Sequence, residues 1–259
     1  MSKIIAIANQ KGGVGKTTTA VNIAAGLVKE GKKAVGIDLD PQANMSEYLG
    51  YEYEGLYNVS DLMVAAANNI LDGECIKKSI IHSAEGVDYI PSNIKLASAD
   101  LFLSNVMCRE QILKRILKRE EFDEYDYIII DCLPSLGILL TNALAAADSL
   151  LIPVQTQKFA LDGLVQLEQV YEMVKLNVNP GLKIDGVLLT MLDNTNMSKA
   201  VEAALESKYG DTLFVTRIHR SVEATNSTYE QKSLVAIKNS KLGAEYIKVT
   251  KELIERGLV

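Results

Sequence analysis

The chain has 259 residues, of which 48% are hydrophobic, and its formal net charge is −6 at pH 7. This length and composition are enough for one complete hydrophobic core, so we expect a single domain over residues 1–259. The acidic balance excludes a protein that is basic all over, and any contact with nucleic acid must therefore come from a local patch.

The cysteines and the N-terminal residues indicate the cellular compartment in which the protein works. Cys75, Cys108 and Cys132 form no CxxC pair, which favours a reduced setting without disulfides. We expect Cys132 to be a small buried residue rather than a cluster ligand. The first residues run directly into an apolar segment without the pattern of a signal peptide, and no apolar run has membrane-spanning length. These features predict a cytoplasmic protein without stable membrane insertion.

A glycine-rich segment near the N-terminus lies between an apolar run at 4–8 and a stretch at 19–27 whose apolar residues have helical spacing. Its sequence is Lys11-Gly12-Gly13-Val14-Gly15-Lys16-Thr17-Thr18. Glycines let backbone N–H groups surround an anion, and the helix N-terminus and Lys16 add positive charge. The pattern therefore predicts a strand, a phosphate-binding loop and a helix, with the Thr17 hydroxyl on a magnesium ion that bridges the terminal phosphates.

The next predicted strand, at 33–38, ends in acidic residues. Its continuation is Asp38-Leu39-Asp40-Pro41-Gln42. A carboxylate at the carboxyl end of a strand beside a phosphate loop lies where open α/β sheets bind ligands, which favours a functional role for Asp40. Asp40-Pro41 is also compatible with a simple turn.

The middle of the chain predicts a helix at 59–71, a strand at 87–91, and one or two helices at 96–119. Ser60 or Asp61 is expected to cap the first helix. Leu101 is expected on the buried face of the 96–119 segment.

A second strong signal is the run Tyr127-Ile128-Ile129-Ile130-Asp131. Continuous β-branched residues predict a strand that is buried on both faces. Because Asp131 stands at its end, it is the candidate Walker B carboxylate, which holds magnesium through water.

The remaining segments continue to alternate. Helices are predicted at 141–147, 159–176, 197–209 and 244–256, and strands at 150–154, 184–192 and 213–218. Leu161 and Val165 are expected on the inward face of the second of these helices. At least six buried strands interleaved with helices predict an α/β fold, with a doubly wound, mostly parallel sheet flanked by helices.

With a lysine before its first glycine, the loop resembles the deviant Walker A family of P-loop ATPases, which includes ParA, Soj and MinD. The similarity covers nearly the whole chain and looks most like the short ParA or Soj type without an N-terminal DNA-binding extension. It implies ATP and Mg²⁺ as cofactors and a homodimer that forms on ATP binding. In such a dimer Lys11 reaches the partner's nucleotide from outside the loop, and Asp40 orients the attacking water. The resemblance thus makes Lys11, Lys16 and Asp40 catalytic.

Three segments depart from the family pattern, and one of them is the loop at 193–196, which lacks the arginine common in the family. Where the family has a PRN segment against the adenine, this chain has His219-Arg220-Ser221, so only Arg220 matches as a nucleotide contact. Glu223 stands where the family has an arginine for nonspecific DNA binding, which reverses the charge. Leu133 replaces the first proline of the loop after Asp131. The cations that would restore a DNA surface are Lys199, Arg217, Lys232, Lys238 and Lys241. Glutamates lie among them, so a solvated surface of mixed charge is the alternative.

The resemblance implies an ATP-dependent dimerisation switch that drives plasmid or chromosome partition. Nonspecific DNA would bind to the ATP dimer, placing the protein at the nucleoid, and a ParB-like centromere-binding protein would stimulate hydrolysis. The alternative is a MinD-like or other positioning ATPase that acts on a protein or membrane partner. A metabolic P-loop enzyme is disfavoured, because Lys11 has no obvious use in a monomeric active site.

Overall fold

The computed structural model describes residues 2–52, 57–157 and 160–257. The strands in these residues are β1 (Lys3–Ile7), β2 (Ala34–Leu39), β3 (Ile81–His82), β4 (Asp88–Ile90), β5 (Tyr127–Cys132), β6 (Ser149–Gln155) and β7 (Lys183–Thr190). They form one sheet in the order β3-β4-β2-β5-β1-β6-β7. Neighbouring strands are parallel except β3 and β4, which are antiparallel. The predicted mostly parallel sheet is thus confirmed.

Helices cover both faces of this sheet. They are α1 (Lys16–Lys29), α2 (Asn44–Tyr48), α3 (Val59–Ala67), α4 (Gly73–Ser79), α5 (Ala99–Phe102), α6 (Ile112–Leu117), α7 (Ile138–Ala146), α8 (Ala160–Asn177), α9 (Asn196–Tyr209), α10 (Glu223–Tyr229) and α11 (Lys241–Glu255). Along β5, Ile128 and Ile130 pack in the core that contains α3, α6, α7 and α8, whereas Tyr127 and Ile129 pack in the core that contains α1 and α11. This alternation follows from the two-residue period of a strand and makes the fold doubly wound.

The C-terminal helix α11 is a core element. Leu242, Tyr246, Val249 and Leu253 are buried against the α1 side of the sheet. Gly26 of α1 allows close approach, because a Cβ added there would lie 3.1 Å from Thr250 Cβ and overlap its Oγ1. The helix predicted at 244–256 is confirmed as α11. In the part of the chain that the structure describes, no helix has the length and apolar character needed to cross a bilayer.

The predicted strand at 213–218 is wrong. Leu213 and His219 make only isolated bridges, to Val187 and Leu192. Between them, the Glu252 carboxylate accepts hydrogen bonds from the backbone N–H groups of Val215 and Thr216, at 2.6 and 2.9 Å. These donors are therefore not available to a neighbouring strand.

The helix predictions between residues 58 and 119 need correction. Helix α3 is capped by Asn58, whose side chain accepts from the N–H groups of Ser60 and Asp61, so neither of those residues is the cap. The 96–119 segment is broken, since Cys108 has a φ of 54° in the left-handed region. Its α-helices, α5 and α6, are short. Leu101, which was expected on the buried face, is 77% exposed.

The helix predicted at 159–176 is confirmed as α8, although its first predicted residue, Phe159, lies outside the described residues. Its apolar face is narrower than expected. Leu161 and Val165 are exposed, whereas Leu164 and Leu167 are buried. The prediction that Leu161 and Val165 face the core is therefore wrong.

Candidate functional site

The strand register brings the predicted site residues to one edge of the sheet. Asp131 of β5 is level with Ile7 at the end of β1 on one side and with Asp38 of β2 on the other. Because all three strands are parallel, the loops that follow them leave the sheet together. The glycine-rich loop, Asp40 and Asp131 are thereby assembled from three separate segments.

A cavity of about 330 Å³ lies at this edge. Its wall includes seven of the predicted residues, namely Gly12, Gly13, Gly15, Lys16, Thr17, Thr18 and Asp40. It also includes residues that the sequence analysis did not assign, namely Asn44, Tyr48, Pro134, Met191 and Thr228. Pro134 and Met191 follow β5 and β7 closely, and this position after a strand is a signal that could have identified them. Tyr48 and Thr228 carry no such local signal.

The backbone of the loop fits an anion. Gly13 and Gly15 have φ values of 71° and 86°, a region that other residues rarely adopt. A Cβ added at Gly12 or Gly13 would meet nothing within 4 Å, so this face of the loop is open to a ligand. Gly15 precedes α1 without a side-chain cap, which leaves the first N–H groups of the helix available to phosphate. Val14 is buried and its carbonyl accepts from the Thr190 hydroxyl at 2.8 Å, which ties the loop to β7.

Lys16 points into the loop. Its side chain is largely buried, and Nζ donates to the Lys11 carbonyl at 3.1 Å. Burial lowers the pKa of the Lys16 ammonium, and the nearby Asp131 carboxylate acts in the opposite direction. A phosphate bound in the loop would give this partly desolvated cation a charge-assisted hydrogen bond.

Asp131 is 1% exposed, and neither of its oxygens makes a hydrogen bond of normal geometry with the described protein groups. Burial, and then the proximity of Asp38, raise the pKa of Asp131 well above its usual value, while the Thr17 hydroxyl and Lys16 oppose this rise. Magnesium binds oxygen ligands. The Asp131 carboxylate and the Thr17 hydroxyl beside it therefore fit that ion. The described residues contain no cluster of three His, Cys, Asp or Glu side chains able to hold a metal. Magnesium is usually bound by one or two side chains together with water and phosphate oxygens, which suits a site of this kind.

The two aspartates of the loop after β2 differ in their surroundings. Asp40 lies in the cavity wall, and one of its carboxylate oxygens accepts from the N–H of Gln42 at 2.9 Å. Asp38 is completely buried behind it, where burial raises its pKa to about 6 despite hydrogen bonds from Ser46. No role for Asp38 was predicted from the sequence.

Lys11 lies at the mouth of the loop and is not part of the cavity wall. Its backbone N–H donates to the Asn9 side chain at 2.9 Å, and its Nζ donates to the amide oxygen of Gln157 at 3.3 Å. This last bond is solvent-exposed. The two lysines of the motif therefore have different positions, one within the loop and one outside it.

The residues considered for DNA binding differ in their surroundings. Four of them are exposed, namely Lys199, Lys232, Lys238 and Lys241. Arg217 instead pairs with Glu202 and Glu206, at 2.7 and 3.1 Å. Glu223 accepts hydrogen bonds from the Ser240 hydroxyl and the Leu242 N–H, and so links the start of α10 to that of α11.

Arg220 is exposed and does not reach the cavity wall. Its backbone N–H donates to the Leu192 carbonyl. Cys132 is buried, as predicted.

Comparison with known proteins identifies the family. A family model described as an AAA domain matches residues 2–184. The sporulation initiation inhibitor protein Soj of Bacillus subtilis is 42% identical over 260 residues, which cover 99% of this chain and 100% of Soj. The chain belongs to the ParA/Soj family of partition ATPases.

Other relatives agree with membership of the ParA/Soj family. The chromosome-partitioning ATPase Soj of Treponema pallidum is 39% identical over 260 residues, which cover 99% of this chain and 98% of that protein. Among solved structures, cobyrinic acid a,c-diamide synthase from Mycobacterium smegmatis with bound ATP analog and magnesium has a TM-score of 0.83 and 30% identity, covering 99% of this chain and 96% of that one. As a ParA/Soj family member, this protein is an ATPase.

Proposed function

We propose that this ParA/Soj family member is an ATP-driven dimerisation switch for plasmid or chromosome partition, with hydrolysis as its timer. ATP and magnesium are its cofactors. The observation that carries the proposal is the separation of the two lysines. Lys16 is buried within the loop, whereas Lys11 lies at the loop mouth, outside the cavity.

Within one subunit, the loop N–H groups, Lys16 and Thr18 bind the phosphates, and Thr17 with Asp131 holds the magnesium ion. The bound ion neutralises phosphate charge. Asp40, in the wall of the same cavity, orients the attacking water. The roles of Lys16 and Asp131 agree with their burial, since each has a charge that lacks full compensation until the nucleotide and its ion bind.

Lys11 acts on the nucleotide of a second copy. Among the residues that the structure describes, its ammonium makes one hydrogen bond, an exposed one to a neutral amide, and such a bond contributes about 0.5–1.5 kcal/mol. The contact with Gln157 is therefore easily exchanged for one with a phosphate. In that position Lys11 joins two subunits and stabilises the negative charge of the transition state.

The Lys11 assignment is tested with Lys11→Ala. The variant should bind ATP as the wild type does but form no ATP-induced dimer by light scattering, because only the contact between subunits is lost. Lys77→Ala, which removes an exposed lysine of α4, is the matched control and should dimerise normally. Unchanged dimerisation of Lys11→Ala would refute the assignment.

We further propose that the ATP dimer binds nonspecific DNA and that a ParB-like centromere-binding protein accelerates hydrolysis. Lys232, Lys238 and Lys241 lie close together in the sequence and are exposed, so they are the best candidates for phosphate contacts. In a dimer, binding of one surface to DNA brings the second one close, so the two together bind more tightly than either alone.

A gel shift with nonspecific duplex DNA tests this part of the proposal. The shift should require ATP, weaken as salt rises, and be lost in Lys16→Ala. Adding a candidate ParB-like protein should raise the rate of ATP hydrolysis.

The pairing of Arg217 and the structural use of Glu223 favour one alternative, a positioning ATPase that acts on a protein or membrane partner with weak or no DNA binding. Absence of a shift even at low salt would exclude the DNA-binding proposal and leave this alternative.

A further inference from the structure

A buried polar chain holds the loop between β2 and α2. The Asp38 carboxylate accepts three hydrogen bonds, two of them from Ser46, whose N–H and hydroxyl lie at 2.8 and 2.6 Å. The third comes from the backbone N–H of Asp40, at 3.1 Å. The Ser46 hydroxyl oxygen in turn accepts from the N–H of Ser92, at 2.9 Å. Asp38, Ser46 and Ser92 are all fully buried.

These contacts fix both ends of the segment that carries Asp40. Asp38 precedes the segment and Ser46 follows it, so their hydrogen bonds close the loop on itself. Within the loop, the N–H of Ala43 donates to the Asp40 carbonyl at 2.9 Å. Ala43 has a φ of 55°, a conformation that costs a residue with a Cβ about 1–2 kcal/mol. The loop is therefore held in a shape that its own sequence disfavours.

Stability alone does not explain this arrangement. Asp38 lies level with Asp131 on the adjacent strand, so two carboxylates are buried side by side. A neutral residue at position 38 would avoid the desolvation of one carboxylate and its repulsion from the other. What the carboxylate provides is a fixed acceptor for the backbone of Asp40 and for Ser46.

We infer that Ser46, together with Asp38, is a positioning residue for ATP hydrolysis. It holds the loop in the one shape that places the Asp40 carboxylate in the cavity wall, and Ser92 anchors it to the segment after β4. Ser46 does not line the cavity, so it acts through Asp40 and does not touch the nucleotide. The inference rests on the proposed role of Asp40.

Ser46→Ala tests the inference. The substitution removes the hydroxyl that donates to Asp38 and accepts from Ser92, and leaves the backbone bond to Asp38 in place. We expect kcat for ATP hydrolysis to fall about tenfold to a hundredfold, since small displacements of a catalytic group cost that much. The Kd for ATP should change less than twofold. Ser46→Thr, which retains a hydroxyl, should recover most of the lost kcat.

Ser79→Ala is the matched control. Ser79 is also fully buried, and its hydroxyl makes one hydrogen bond, to the Ile76 carbonyl at 2.7 Å in α4. It should lower the melting temperature without changing kcat. If kcat in Ser46→Ala stays at the wild-type level, falls only as far as in Ser79→Ala, or falls in step with ATP affinity, the positioning role is overturned.

Asp40→Ala separates this inference from the proposed role of Asp40. An inactive Asp40→Ala beside a fully active Ser46→Ala refutes the positioning role alone. A fully active Asp40→Ala refutes the role of Asp40, and the positioning role with it.

Discussion

Replacing Asp131 with asparagine should stabilise the nucleotide-free protein while removing its response to magnesium. The Asp131 carboxylate is buried, and neither of its oxygens makes a hydrogen bond of normal geometry with the described protein groups. Asp38 is level with it on β2. Asparagine has nearly the same volume but no charge. The substitution therefore removes a buried charge that Lys16 compensates only in part, and it opens no cavity.

The size of the gain follows from the cost of the buried charge. An unsatisfied buried polar group costs about 1–3 kcal/mol, and a charged one costs more. Because asparagine is itself polar and buried, only the charge-dependent part is recovered, which we take as about 1–2 kcal/mol. For a chain of this size each kcal/mol shifts Tm by about 2–4 °C, so Asp131→Asn should melt about 2–8 °C higher in EDTA.

The difference should also depend on pH. The pKa of Asp131 is higher in the folded state than in the unfolded state. The wild type therefore loses stability as the pH rises from the pKa of the unfolded state to that of the folded state. Below the unfolded value, about 3.9, the aspartate is protonated in both states and imposes no cost. The stability advantage of Asp131→Asn should therefore be largest near neutral pH and disappear near pH 4.

Thermal unfolding followed by circular dichroism measures both effects. In EDTA without nucleotide, Asp131→Asn should be the more stable protein. With ATP, adding magnesium should raise the Tm of the wild type but not that of the variant. Asp123→Asn, at an exposed position before β5, should behave as the wild type. The reasoning fails if Asp131→Asn melts below the wild type in EDTA at neutral pH, or if magnesium with ATP stabilises both proteins equally.

Two further substitutions test the packing and the loop by urea unfolding. Gly26→Ala puts a methyl group against Thr250, so it should lower the free energy of unfolding by about 1–3 kcal/mol. Adding Thr250→Ala to the same chain should recover part of this loss. Strictly additive effects of the two substitutions would contradict the contact. Ala43→Gly relieves the left-handed conformation and should gain about 0.5–1 kcal/mol. Ala65→Gly, within α3, is the control and should lower the free energy of unfolding by about 1 kcal/mol. If Ala43→Gly also lowers it, the conclusion that Ala43 is strained is wrong.

The sequence alone was sufficient for the features that depend on neighbouring residues. The glycines of 12–15 determine a loop that only such a backbone can form, and the apolar run before Asp131 determines a strand buried on both faces. Parallel pairing then brings the ends of β1, β2 and β5 together. The phosphate loop, Asp40 and Asp131 could therefore be predicted as one site. These signals are local because backbone sterics and side-chain periodicity act over a few residues.

Tertiary structure alone decided which distant side chains meet. Tyr48 and Thr228 enter the cavity wall, Ser46 reaches Asp38, and Glu252 takes the N–H groups that a strand at 213–218 would have needed. Arg217 satisfies two glutamates of α9. Each of these contacts joins segments with no shared local pattern, because a hydrogen bond or ion pair depends on where packing places both partners, and the sequence around either one does not specify that position.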